Sequence, residues 1–575
     1  MLHTTHPDAA PAPAPVTVIV GGVAGGMSAA TRLRRLDEAR EIIVLERSGA
    51  VSFANCGLPY HVSGVIADRE ALELKDPARL ATRFRIDARV HHEAVAIDRA
   101  AKTVTVRRTT DGASERLAYD ELILAPGAAP RHPHDVAPDA ALRSLRTLDD
   151  LDRIMAAAAD LEAGDPVVVI GGGFIGLEMA DNLLRRGFAP TIIQRSTRLV
   201  GTLDPEMAAP LADHVAAAGV DVRFGRSVTR VLGGRVVLDD GSTVSARLVI
   251  AAMGVEPESG LAREAGLELG ASGGIAVDQL HRTSDPSIYA IGDAAEKRDA
   301  IDGGGRLVAL AGLANRHGRA VADTIAGNPV PSVPSLGTAI IDVLGLTAAS
   351  TGWTEEFARS RGRDVRVIHT HPLSHAGYFP GASPMSLKLV VDVESDLILG
   401  AQAVGTDGVD KRIDVIATAM AAKLPAAALA DLELAYAPQY GAAKDPVNML
   451  GYVDRNLAAG EEHTIQWHEL DRAIADGAVF LDVRAEGQLA EGAIPGATWV
   501  PVELLRERHH EFAGRPVVVH CRVGQGAHTA ARLLTALGHE VHNLDGGYLT
   551  WRAGERARAI EEHATDASLR DIRAA

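Results

Sequence analysis

The stretch that decides the fold is VTVIVGGVAGGMSAATRLRRL at 16–36, followed by EIIVLER at 41–47. A short Val/Ile run ends at Gly21, a helical Ala/Leu/Arg stretch begins near Gly26, and an acid, Glu46, closes the second apolar run. Glycines let the chain turn tightly and bring a helix N-terminus against a pyrophosphate, and the carboxylate can accept ribose hydroxyls. Val23 replaces the middle glycine of G-x-G-x-x-G, so strand, helix and acid at their spacing carry the reading. The opening recurs as PVVVIGGGFIGLEMADNLLRRG at 166–187 with PTIIQR at 190–195, where Gly171, Gly173 and Gly176 complete the fingerprint. Here the ribose position holds Gln194, followed by Arg195 and Arg198. An acid would repel a 2′-phosphate and a neutral amide beside two arginines would not, so NADH and NADPH both remain open.

At about 150 residues per domain, 575 residues allow three to five domains. Hydrophobic residues at 47% leave ample core, but aromatics at 4% mean that Ala, Val, Leu and Ile must build it. A net charge of −17 argues against wrapping nucleic acid or lying on an anionic membrane. No apolar run approaches the roughly 20 residues of a membrane helix. Two cysteines, Cys56 and Cys521, exclude a disulfide scaffold and any four-cysteine zinc or iron–sulfur site. Residues 1–15 are low-complexity Ala/Pro without a basic start or apolar stretch, so they read as a flexible tail of a cytoplasmic protein. A boundary is expected at NPVPSVPSLG, 328–337, and a linker over 456–464.

Two further segments, YDELILAPGAAP with Gly127 and SIYAIGDAAE with Asp293, complete a set. In this order the four motifs resemble the pyridine nucleotide–disulfide oxidoreductases, flavoproteins with two dinucleotide-binding domains. The resemblance implies an α/β fold: an FAD-binding domain over 16–145 and 276–335, an NAD(P)H-binding domain over 146–275, and an α+β dimerisation domain over 336–455. It implies FAD against Gly21, Ala24, Gly25, Gly26, Glu46, Arg47, Asn55, Val95, Gly127 and Asp293. NADH or NADPH would lie against Gly171, Gly173, Phe174, Ile175, Gly176, Glu178, Gln194, Arg195 and Gly254.

Cys56 stands in VSFANCGLPYHVSG, where Gly57, Leu58 and Pro59 suggest a turn into a helix. A thiol at a helix N-terminus is enriched in the reactive thiolate. Disulfide reductases with a C-x4-C pair would place a second cysteine where His61 stands, so the thiol must cycle through a mixed disulfide, persulfide or sulfenic acid. SFANCGLPY resembles the one-cysteine branch of the family, the coenzyme A-disulfide reductases and the related persulfide and polysulfide reductases. That resemblance implies a homodimer in which Tyr378 and Tyr436 come from the partner subunit to assist a leaving thiolate. It also implies coenzyme A as substrate or ligand, met by Ser28, Arg32, Arg35, Ser52, Asn55, Asn315, Arg316 and Lys444. NADH oxidase and peroxidase relatives generally carry a His in the first glycine loop, where this chain has Ala24. His369, His371 and His375 look like a metal cluster, but no acid or cysteine nearby completes it, and no metal is expected.

From Ile465 the chain reads LDVRAEGQLAEGAIPGATWVP, VVVHCRVGQGAHTAARLL and NLDGGYLTW. A strand delivers Cys521 to the loop Arg522, Val523, Gly524, Gln525 and Gly526, whose N–H groups and following helix can hold an anionic sulfane. This resembles an α/β rhodanese domain over 465–575, whose cysteine carries a persulfide. Ala493 stands where the family has a His, and Gly526 where an Arg is usual, so the reading as an active carrier and the reading as an interaction module both stay open. The expected activity is NAD(P)H-dependent reduction of a low-molecular-weight disulfide, persulfide or polysulfide. An oxidase or peroxidase cycling Cys56 through sulfenic acid and a sulfur-carrier or redox-sensing partner are the alternatives.

Overall fold

The computed structural model describes residues 14–564; residues 1–13 of the expected tail and 565–575 of the expected rhodanese region lie outside the described residues. The chain divides into two compact units. One takes in the chain to Arg131 with Ser144–Ala159 and Gly254–Ser335; the other takes in His132–Arg143, Asp160–Met253 and the chain from Leu336.

The first unit is built on a parallel five-stranded sheet in the order Ile288–Ala290, Glu121–Leu124, Val16–Val20, Glu41–Glu46, Asp87–Val90. Parallel strands are covered on both faces, which is why these runs are continuously apolar rather than alternating. On one face Ile19, Ile42, Val44 and Ile123 pack against Ala29, Ala30 and Leu33 of the helix Ala24–Leu36 and Val321 and Ala322 of the helix Ala311–Ile325. Small residues on both helices let this layer pack densely, with Tyr289 buried in the same cluster. Truncating Leu33, fully buried, to Ala would cost about 2–5 kcal/mol. Arg34 and Arg35 sit in the last turn of the first helix, where cations complement the dipole.

The second unit holds a four-stranded sheet of Thr243–Ser245, Arg235–Leu238, Val228–Leu232 and Asp135–Val136, and three five-stranded ones. A parallel one runs Leu142–Arg143, Leu248–Ala251, Pro166–Ile170, Ala189–Gln194, Asp221–Phe224. An antiparallel one runs Ala339–Val343, Leu346–Gly352, Ile398–Gly405, Met385–Asp392, Val365–Thr370. The third, again parallel, runs Thr464–Ile465, Val541–Leu544, Val517–His520, Val479–Asp482, Thr498–Trp499. Among the described residues no helix is long and apolar enough to cross a membrane.

Between the first two of these five-stranded sheets lies a buried ion cluster. Lys388, 1% exposed, is placed by its strand so that Nζ lies 3.0 Å from Asp204, 2.5 Å from Glu206 and 2.8 Å from Glu355. Three carboxylates this close could hold a metal ion. Here the ammonium occupies their centre, and the carboxylates hold it protonated, well above its ordinary range, against the cost of burial.

Candidate active site

In the first glycine loop Gly21 takes φ +103°, a conformation open to glycine alone at low cost. A Cβ at Gly26 would lie 1.9 Å from the Gly21 carbonyl oxygen, so the turn closes only with hydrogen there. Ala24 and Gly25 open the helix behind it. The buried Glu46 accepts hydrogen bonds from the Gly22 N–H at 3.0 Å and the Ser48 N–H at 2.9 Å, and Arg47 pairs with Glu258. Gly127 and Asp293 follow the carboxyl ends of the neighbouring strands, the edge at which open α/β sheets bind ligands. Burial pushes the Asp293 carboxyl up, while Lys297 and Arg146 pull it back. The cradle of backbone N–H groups fits a dinucleotide pyrophosphate. Val95 lies on the antiparallel strand His92–Asp98, where its register shifts.

Cys56 is exposed in a short turn, Asn55–Gly57, that leads into the five-residue helix Leu58–Val62. Cys56 thus immediately precedes Gly57, the N-cap of that helix, and the Asn55 Oδ1 accepts from the Cys56 N–H at 3.1 Å and stands 3.7 Å from Sγ. Ser52, held at φ +53°, donates its N–H to the Gly22 carbonyl at 2.8 Å, stitching the cysteine loop to the first glycine loop. His61 sits 2.8 Å through Nδ1 from the Ile66 carbonyl. Ser28 donates to Asn315, which brings these two candidates together. Arg32 is committed to Asp323, with Nε–Oδ1 at 2.9 Å, whereas Arg35 and Arg316 are exposed.

The second glycine loop repeats the first. Gly171 has φ +110°, and a Cβ at Gly176 would stand 1.9 Å from its carbonyl oxygen. Gln194 Oε1 accepts from the Gly172 N–H at 2.9 Å, and its Nε2 donates to Ser196 and to the Arg198 carbonyl. Gly173 precedes the helix Phe174–Arg185, which carries Phe174, Ile175 and Glu178 in its first turns, with Ile175 exposed. Arg195 is exposed, Arg198 pairs with Glu356 at 2.7 Å, and Gly254 stands at φ +91°.

Tyr378 and Tyr436 share a hydrogen bond of 3.0 Å between their hydroxyls although they are 76% and 49% exposed. Lys444 is exposed on the same domain, beside the buried Asp445 that caps the helix Pro446–Ala458. The three histidines diverge. His369 meets Asp545 and Glu206, His371 meets Ser386 and Thr550, and His375 meets Ser374 and the Pro380 carbonyl. Acids do reach His369, from distant parts of the chain, but as ion-pair partners.

Cys521 leaves the strand Val517–His520 and is buried at 6% exposure. The turn through Arg522, Val523 and Gly524 enters the helix Gln525–Ala536. Arg522 is bidentate to Glu491, Nε to both carboxylate oxygens at 2.8 Å. At Gly526 a Cβ would lie 3.4 Å from the Cys521 Sγ, so the missing side chain leaves room directly beside the thiol. Glu462, within the segment read as a linker, is buried and bonded to His528 at 2.8 Å and to Asn543 at 2.8 Å.

Family models match three parts of the chain: pyridine nucleotide-disulphide oxidoreductase over 16–318, its dimerisation domain over 339–445, and a rhodanese-like domain over 466–554. The chain belongs to the pyridine nucleotide-disulphide oxidoreductases. Within that family it is 35% identical over 444 residues to the coenzyme A disulfide reductase of Staphylococcus aureus, covering 76% of this chain and 99% of the relative. The reduced CoADR-RHD of Bacillus anthracis superposes with a TM-score of 0.92 at 43% identity, covering 94% of this chain and 99% of that one. An NAD-dependent persulfide reductase from A. fulgidus gives 0.87 at 35% identity, over 93% and 100%. A water-forming NADH oxidase from Lactobacillus brevis, 22% identical with a TM-score of 0.74, shares the fold.

Several charged groups of this oxidoreductase carry no motif. Arg146 donates to the Pro126 carbonyl at 3.1 Å, beside Gly127, and burial pulls its pKa down. Lys297, buried and brought down to about 8 by burial against the pull of Asp293, donates to the carbonyls of Gly292 and Ala295. His281 and His317 pack with ring centroids 4.3 Å apart, both neutral, burial taking them to about 4 and about 3. Nothing in their local sequence distinguishes these residues from solvated or core ones; only the proximity of Lys297 to the glycine–aspartate motif hints at a site.

Proposed function

We propose that this flavoprotein reduces a coenzyme A disulfide or persulfide with NAD(P)H, and that its rhodanese domain carries sulfane sulfur on Cys521. The observation that carries the reading is a single exposed thiol, Cys56, stitched through Ser52 to the first glycine loop, with His61 where a second thiol would stand. FAD, when bound, supplies two-electron transfer from NAD(P)H. The Cys56 thiolate attacks one sulfur of R–S–S–R′, forming Cys56–S–S–R and releasing R′–S⁻, which takes a proton. Two electrons and a proton then return the thiolate and release R–SH. With a persulfide R–S–SH, the same balance yields R–SH and hydrogen sulfide. Tyr378 and Tyr436, joined through their hydroxyls, suit the role of proton donor to the departing thiolate. Exposed Arg35, Arg316 and Lys444 are the cations for the phosphates of coenzyme A. Cys521 takes the outer sulfur of R–S–SH, becoming Cys521–S–SH as R–SH leaves. The working unit is a homodimer through the antiparallel domain, and the setting is the cytoplasm, consistent with two reduced thiols.

Steady-state rates with coenzyme A disulfide, coenzyme A persulfide, polysulfide, peroxide and oxygen test this reading. Cys56→Ser should abolish NAD(P)H-dependent turnover of the sulfur substrates while the bound flavin remains. Faster turnover of peroxide or oxygen than of any sulfur substrate would overturn the reading in favour of an oxidase.

A further inference from the structure

The short segment Asp545–Thr550 touches two things at once. Asp545, buried at the end of the strand Val541–Leu544, belongs to the rhodanese sheet, yet its carboxylate serves the antiparallel domain. It accepts from the His369 backbone N–H at 3.1 Å through both oxygens, stands 2.6 Å from His369 Nδ1, and accepts from Gln466 Nε2 at 3.2 Å. On its other side His369 Nε2 is 3.1 Å from Glu206, which also bonds Lys388. Burial opposes a charge on this imidazole, but Asp545 and Glu206 outweigh it and hold the group up at about 9. Thr550 Oγ1 lies 2.8 Å from His371 Nε2, and burial takes His371 down to about 3, so this ring is neutral.

Between these two anchors the backbone turns onto the cysteine loop. Gly546 and Gly547 take φ +66° and +63°, and each is pressed from a different side. A Cβ at Gly546 would stand 2.8 Å from the His369 Cβ; one at Gly547 would stand 2.5 Å from the Cys521 carbonyl oxygen and 2.9 Å from the Gly524 nitrogen. The next two N–H groups, of Tyr548 and Leu549, donate to the carbonyls of Cys521 and Arg522 at 2.9 and 3.1 Å. Five consecutive positions thus join the imidazole of one domain to the sulfur-bearing loop of another.

We propose that His369 and His371 of the antiparallel domain are positioning residues for Cys521: by gripping Asp545 and Thr550 they hold the 547–549 backbone that shapes the thiol's loop. The inference builds on the reading of Cys521 as a sulfane carrier, and it makes the rhodanese chemistry dependent on the reductase body. Docking without this consequence would need only surface complementarity, whereas here the segment that the histidines grip is the one whose N–H groups bond the cysteine loop.

The test uses the full chain in a Cys56→Ser background, where Cys521 is the sole thiol. The rate of its alkylation by iodoacetamide is followed from pH 6 to 9 in the parent, His369→Gln, Asp545→Asn, and the conservative Thr550→Ser beside Thr550→Val. Misplaced reacting groups lose rate steeply, so His369→Gln and Thr550→Val should change the alkylation rate about tenfold or more and displace its pH profile. Thr550→Ser should restore the parental curve. Sulfane uptake from coenzyme A persulfide, read as thiocyanate released by cyanide, should fall in parallel, and NAD(P)H oxidation with coenzyme A disulfide should be unchanged when Cys56 is present. Parental alkylation curves in both His369→Gln and Thr550→Val would overturn the proposal. If Asp545→Asn fails to fold, these two variants still decide it. Absence of sulfane uptake by the parent would refute the carrier reading alone, and the alkylation curves would then decide the positioning role.

Discussion

Glu46 and Gln194 make the same hydrogen bond in two different glycine loops: Glu46 accepts from Gly22 at 3.0 Å and Gln194 from Gly172 at 2.9 Å. The shared bond holds each loop against its strand, and the difference in charge bears on the ribose. Restoring the acid with Gln194→Glu should lower kcat/KM for NADPH by about tenfold or more and leave NADH within a few-fold, because a carboxylate repels a 2′-phosphate. Arg195→Asp should act in the same direction. Steady-state kinetics with both nucleotides check the pair; equal losses for both would show that this end of the ribose is not read.

Tyr436 accepts or donates within a hydroxyl pair, and the hydrogen bond to Tyr378 holds its pKa above the ordinary tyrosine value. The proton is therefore retained throughout the neutral range. Removing the hydroxyl with Tyr436→Phe should lower kcat by about a hundredfold, the range expected of general acid catalysis, with a smaller change in KM. A KM effect alone would mean that the tyrosine only binds.

The His369 imidazole, lifted from 6.5 to about 9, makes stability depend on pH. Its folded-state pKa is raised, so its contribution is complete below pH 6.5 and disappears as pH rises through 9. The thermal midpoint should fall across that window, and His369→Gln should flatten the fall. The stake is a few kcal/mol, since one pKa unit corresponds to about 1.4 kcal/mol. A midpoint that falls identically in the variant would assign the effect to another group.

Arg522 is the cation nearest the Cys521 loop in sequence, and Glu491 neutralises it with a two-oxygen contact at 2.8 Å. A dianionic donor such as thiosulfate gains little there. Glu491→Gln should release the guanidinium and raise sulfane loading from thiosulfate several-fold, with coenzyme A persulfide less affected. The thiocyanate assay reads both. No change with thiosulfate would mean that the loop N–H groups alone govern anion binding.

The two glycine-loop openings and the strand before Cys521 were legible because tight turns admit few residue types and a parallel strand must be apolar throughout. Glu46 and Gln194 were legible as ribose positions, but the bond each makes to the N–H of its own glycine loop was not. Cys56 was visible as a lone thiol on a turn into a helix, and the structure has the turn at Asn55–Gly57 and the helix at Leu58–Val62. Arg32 read as a ligand cation and is tied to Asp323, 291 positions away. The histidine cluster showed no acid nearby and no metal was expected of it, yet His369 meets its acids from 206 and 545. Partners at such separation leave no periodicity and no motif, so only the folded chain could join them. Lys388 shows the same limit: one lysine on an apolar strand gives no sign of three carboxylates converging on it.

The grip of Asp545 on His369 also bears on how this fusion can be rearranged. A rhodanese joined by a free tether could be exchanged for any other, or cut away, with the remainder intact. Here removal of the chain beyond the antiparallel domain would strip His369 of one of its two carboxylates and leave a buried imidazolium short of a counter-charge. A transplanted domain would have to bring an acid to the same point. The two domains therefore constrain each other's sequences at this point.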